Sequence, residues 1–171
     1  MRRTEDVAAR RSERREHADY TGAVYGSMLA ASVVVGAGSL GRFPRVELIV
    51  LLLLTGAVFW VAHVHATLFG ERLVERTAPT RRIVLRACRD EWPILKAAIP
   101  PAVAVAVSPL LGLDMAGSLW LALSVAIAGQ VGWSVAAARR VGASWRQVGL
   151  TATVNLLLGL LIVAFKLLLK H

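Results

Sequence analysis

The chain has 171 residues, 56 % of them hydrophobic, with a formal net charge of +9 and a mean hydropathy of +0.59. Soluble domains hold roughly 45–50 % apolar residues, so an ordinary water-facing globule is excluded. The positive charge does not argue for nucleic acid: the basic residues sit at the ends of apolar runs, where anionic headgroups lie, and no recognition helix or aromatic-basic platform accompanies them.

Residues 1–19 mix acids and bases without an apolar stripe, which predicts a solvated tail, either frayed helix or disorder, with an affinity for anionic lipid. The first apolar run, Tyr20–Leu40, is rich in small residues. Gly22 and Gly26 have the spacing that lets another helix approach closely, and packing inside a bundle is favoured over homodimerisation. Val35-Gly36-Ala37 fits a small-residue cleavage site, but Glu5, Asp6, Glu13, Glu16 and Asp19 are atypical of a leader, so a retained span is expected.

The second run, Val46–Phe69, carries His63 and His65. They lie about 8 and 11 Å from its midpoint, at about 1.5 Å per residue. Two positions apart on a helix, they diverge and cannot chelate one ion. No other span offers His, Cys, Asp or Glu at matching depth, so neither a metal site nor a cofactor is expected. His63, Thr67 and Glu71 do share a face that would suit proton passage, although hydrogen-bonded structural histidines are the favoured reading. The segment Val58-Phe59-Trp60-Val61-Ala62-His63-Val64-His65-Ala66 resembles, in general layout, the small multi-pass membrane proteins of GC-rich bacteria. The resemblance carries over no functional residues; the use of seventeen Arg against three Lys points to the same bacterial origin.

Between residues 70 and 91, Pro79 breaks the chain and Thr80 can cap a new turn. Arg82, Arg86 and Arg89 then fall on one helical face and Ile83, Val84, Ala87 and Cys88 on another, so a short amphipathic helix at the headgroup layer and a merely solvated loop are both open readings. Cys88 is the single cysteine, which excludes an internal disulfide and dithiol redox chemistry.

The third run, Trp92–Leu113, contains Lys96 and is interrupted by Pro100-Pro101, which predicts a kink because two amide donors are lost and two rings crowd the preceding turn. Such breaks can line transport sites, but a purely structural bend is favoured. The fourth and fifth runs are Ala116–Ala138, with Gln130, and Val148–Leu168, with Asn155; Asp114 is expected to cap the fourth. Each of the five exceeds the roughly 20 residues that cross a bilayer.

The tail, loop 70–91 and loop 139–147 together carry fifteen Lys and Arg, against three on the other side (Arg42, Arg45 and Lys170). This bias predicts an N-in, C-out, multi-pass protein of the plasma membrane. The fold class is all-α: a charged tail, 1–19, and a five-helix membrane domain, 20–171. With this threading His63, His65, Lys96, Gln130 and Asn155 share the inner half, which suggests a polar cavity open to the cytoplasm. There is no acidic pair for phosphotransfer, no Ser/His arrangement and too few histidines for a di-iron centre, so no enzymatic activity is expected. The favoured function is a structural or accessory role through helix packing with a partner protein or a second copy. The alternative is a transporter or channel subunit that uses the cavity.

Overall fold

The computed structural model describes residues 2–39, 44–75 and 80–168. Every regular element among them is helical: α1 (Arg2–Ser39), α2 (Arg45–Glu75), α3 (Arg81–Asp90), α4 (Trp92–Val107), α5 (Met115–Arg140) and α6 (Trp145–Leu168). Five stretches are long and apolar enough to cross a membrane: Tyr20–Gly38, Arg45–Arg72, Arg81–Leu111, Met115–Arg140 and Trp145–Phe165. Pro79, Arg42, Arg76 and Lys170 lie outside the described residues.

Several boundaries differ from expectation. The tail is not separated from the first span, since α1 runs from Arg2 without interruption. Nothing in 2–19 breaks a helix: Gly and Pro are absent from that stretch. At about 1.5 Å per residue α2, with 31 residues, is roughly 46 Å long, more than a hydrocarbon core of about 30 Å needs. The segment after Pro79 is a helix, α3, with one buried residue, Ala87, and Arg81, Arg82, Leu85, Arg86 and Arg89 exposed. Thr80 occupies the N-cap position but makes no side-chain cap bond. A bend at Glu91 leads into α4, whose helical run continues through Pro100 and Pro101.

The turns have local causes. After α4 a 3-10 turn, Ser108–Leu111, ends at Gly112, which has φ of 68°. The amides of Gly112 and Leu113 donate to the carbonyls of Pro109 and Ser108, the paired bonds that close a helix on a left-handed residue. Gly142 ends α5 the same way, at φ of 72°, with Gly142 and Ala143 donating to Arg139 and Ala138. Asp114 caps α5, its Oδ1 accepting from the Gly117 amide at 2.7 Å.

Helices α1, α4 and α5 pack on one another; α2 leans on α4 and α1, and α6 on α5 and α1. Gly22 and Gly26 of the first span both face α4: Gly22 lies against Pro93 and Ile94, and Gly26 against Ile94 and Ala97. The close-packed core is formed by Ala30, Ala31, Val34 and Val35 of α1, Leu48 and Leu52 of α2, Ala102 and Val105 of α4, and Ala122, Leu123 and Ala126 of α5. All of these lie toward the end opposite the arginine-rich one. Small side chains dominate, so backbones rather than long side chains approach, as in membrane bundles.

Candidate functional site

The far end of the bundle is tied shut by a polar cluster. Arg45, the first residue of α2, donates from Nη2 to the Leu113 carbonyl at 2.6 Å and from Nε to Ser118 Oγ at 3.3 Å. Ser118 Oγ also lies 2.6 Å from Ser108 Oγ, and both serines are fully buried. The cluster joins α2, the turn after α4 and the start of α5, and it satisfies a carbonyl that the turn would otherwise leave bare. Sequence reading placed Arg45 in a loop and missed the cluster; its signal was Ser108 and Ser118 flanking the short connection between two spans.

The arginine-rich end is different: among the described residues, a larger and a smaller cavity open there. The larger, about 810 Å³, lies between α1, α5 and α6. Polar side chains from all three helices line it. Thr21 and Tyr25 stand on α1, Gln147, Thr151 and Asn155 at four-residue intervals on α6, and Ser134 on α5. Gln130, one turn further along α5 from Ser134, is completely buried beside it. The Gln130 amide group donates to the Asn155 carbonyl at 3.1 Å and to Asn155 Oδ1 at 3.3 Å. Asn155 in turn donates to the Thr151 carbonyl at 3.0 Å. Because both groups facing Gln130 Nε2 are acceptors, the amide orientation is fixed, and Gln130 Oε1 is left buried without a protein donor. An unpaired buried acceptor costs about 1–3 kcal/mol. Asn155 lies ten residues beyond Trp145, the first residue of α6, hence roughly 15 Å down the helix axis.

The smaller cavity, about 310 Å³, lies between α1, α4 and α5 and is bordered by Lys96 and Arg140 with Tyr20, Pro93 and Trp133. The Tyr20 and Trp133 rings are 6.0 Å apart, and the Arg140 guanidinium carbon lies 6.0 Å over the Tyr20 ring. Arg139 turns the other way, 5.3 Å from the Trp145 ring. Trp92, Trp133 and Trp145 are 39, 44 and 77 % exposed, an aromatic rim of the kind found at a membrane interface.

The five residues expected to share one cavity are therefore divided. Gln130 and Asn155 meet. Lys96 borders the other cavity, which shares Tyr20 with the first. His65 is exposed, on a different face from His63. His63 is half-buried: its Nδ1 lies 3.0 Å from the Phe59 carbonyl and its ring 5.1 Å from the Tyr25 ring. Thr67 donates to Glu91 Oε1 at 2.9 Å and Trp60 Nε1 to the Cys88 carbonyl at 2.9 Å, so this part of α2 holds α3 and the start of α4. Shared depth brought the five together in the sequence; the rotation of each helix about its own axis separates them. Among the described residues no group of three or more His, Cys, Asp or Glu could hold a metal ion. Comparisons with protein-family models, with curated proteins and with solved structures find no match to this chain.

Proposed function

We propose that the chain is a plasma-membrane accessory protein, threaded N-terminus inside and C-terminus outside, which seats a helix of a partner membrane protein in the groove between α1, α5 and α6. The observation that supports this is the composition of that groove. Acyl chains cannot hydrogen-bond Tyr25, Gln147 and Thr151, whereas a helix with polar side chains can. Its rim of Ala137, Ala138, Gly142 and Ala143 is small enough for close backbone approach. The far end is packed and tied by the Arg45 cluster, which favours an adaptor over a through-path. In the same reading Pro100 and Pro101, which lack amide donors, bend α4 between its packed far half and the cavity-bearing half.

Photo-crosslinkers at Met28 and Leu150 test the proposal in intact membranes. One discrete membrane-protein adduct, lost when Ala138→Trp fills the groove, is the expected result. An adduct of twice the chain's mass would make the partner a second copy, while adducts with lipid alone would refute helix seating.

A second reading, a transporter or channel subunit, is favoured by one observation, the orphan Gln130 Oε1, which a passing solute or water could satisfy. Gln130→Leu separates the two. An adaptor should change only modestly in stability, membrane hydrogen bonds averaging about 0.6 kcal/mol. A transport path should lose its flux in proteoliposomes while the protein stays folded.

A further inference from the structure

We infer that the exposed face of α3 is a docking surface for the headgroups of anionic phospholipid in the leaflet at the arginine-rich end. At about 100° per residue Arg82, Arg86 and Arg89 fall within about 60° of one another, and Arg81 and Leu85 continue the same arc. All five side chains are exposed. The other side of the helix is packed, with Ala87 buried and Ile83 and Val84 half-buried. Among the described residues none of the four guanidinium groups has a hydrogen-bond or ion-pair partner. Of the two acids that close the segment, Glu91 is engaged by Thr67 of α2 at 2.9 Å and Asp90 is half-buried. The exposed face therefore carries four positive charges and no negative one.

Position and composition select lipid as the occupant. The Cys88 carbonyl accepts from Trp60 Nε1 at 2.9 Å, and the Trp60 ring meets that of Trp92 edge-on at 5.4 Å. Trp92 opens α4 and is partly exposed. Tryptophans gather at the headgroup layer, so this pair sets the end of α3 at that level. A helix tethered there meets lipid at high effective concentration. Guanidinium groups bind phosphate through paired N–H bonds. Leu85, 58 % exposed among the arginines, would gain nothing from a purely ionic partner, whereas the boundary between headgroups and acyl chains accommodates both kinds of side chain. The surface is separate from the partner groove, which no residue of α3 lines, and does not depend on the function proposed for that groove.

The test uses the full chain with Cys88→Ser and Leu85→Cys, labelled at position 85 with a neutral fluorophore and reconstituted in phosphatidylcholine nanodiscs. Acrylamide should quench the label there, and added phosphatidylglycerol should protect it. Each interfacial cation contributes about fivefold to attraction by anionic lipid, and three about a hundredfold. At one lipid composition, Arg82→Gln/Arg86→Gln/Arg89→Gln should therefore lower the ratio of protected to quenched label about a hundredfold. The charge-preserving triple Arg82→Lys/Arg86→Lys/Arg89→Lys should retain most of the protection, which separates lost charge from lost fold. Salt at about 1 M, where the screening length is about 3 Å, should lift the protection. Equal quenching with and without phosphatidylglycerol, or in the parent and the Gln triple, would overturn the inference. Protection in native membranes but not in phosphatidylglycerol nanodiscs would give the arginines to an acidic protein and overturn the assignment to lipid.

Discussion

Replacing Gly26 by alanine measures how closely α1 and α4 approach. An added Cβ would lie 2.6 Å from the Ile94 carbonyl oxygen and 2.8 Å from the Ala97 Cβ. Ordinary non-bonded contact is near 3.5–4.0 Å, so the helices must part by about 1 Å. The carbonyl is backbone and cannot swing aside. A gap of about that size forfeits between a quarter and a half of each neighbouring dispersion contact, and overpacking of this kind costs about 1–3 kcal/mol. Gly22 supplies the control. An added Cβ there would be 3.4 Å from the Ile94 Cγ1, an ordinary contact. Gly36, where an added Cβ meets nothing within 4 Å, supplies a second. Equilibrium unfolding in mixed micelles, followed by helicity, should therefore show Gly26→Ala less stable by about 1–3 kcal/mol, with Gly22→Ala and Gly36→Ala near wild type. Equal stability of Gly26→Ala and Gly22→Ala would refute the close contact as the reason for glycine.

Cys88 should react with a membrane-impermeant maleimide only after cells are opened; efficient labelling of intact cells would reverse the proposed orientation. Trp60→Phe removes the donor to the Cys88 carbonyl, so labelling in opened cells should accelerate, and an unchanged rate would mean that this bond does not hold α3 in place. Arg45→Leu leaves the Leu113 carbonyl and Ser118 without their cation. Melting in detergent should show a loss of about 1–2 kcal/mol, less than the roughly 1.5–3 of a charged hydrogen bond because Arg45 is partly exposed; a stability within error of wild type would remove the cluster as a clasp. Calorimetry with zinc and copper should find no submicromolar binding to the tag-free protein, since His63 and His65 lie on different faces; tight binding abolished by His63→Ala would refute this.

Hydrophobic run length made the five spans legible, because lipid demands an unbroken apolar stretch of nearly constant length. For α3 the sequence left a short amphipathic helix and a solvated loop both open, and the structure has the helix; the Asp114 cap was legible from residue type and position. The extension of α1 through the charged tail was not legible, since mixed charge is equally compatible with solvated helix and with disorder. In the candidate site, depth could be read from residue number, and it paired Gln130 with Asn155. Azimuth could not, because apolar spans surrounded by lipid lack the one-sided pattern that marks an inner face. Lys96 and His65 were therefore grouped with residues from which rotation separates them. The stripe Gln147, Thr151 and Asn155 did carry a readable signal, a four-residue period of polar side chains on an otherwise apolar helix.

The peripheral seating of α6 has a consequence for how the bundle opens. In its most apolar stretch 11 % of residues are buried, against 50 % for that of α1, and it leans mainly on α5 and α1. A helix so lightly held is the natural unit of partial unfolding, able to leave while the α1–α4–α5 triangle stays assembled. Its departure would uncover Gln130 to hydrocarbon and take away the two Asn155 acceptors. The buried amide pair thus acts as a latch whose release is costly in lipid yet eased wherever water reaches the groove. Amides of α6 should accordingly exchange with solvent as a block, ahead of those of its neighbours, and at a rate that rises with hydration of the arginine-rich end.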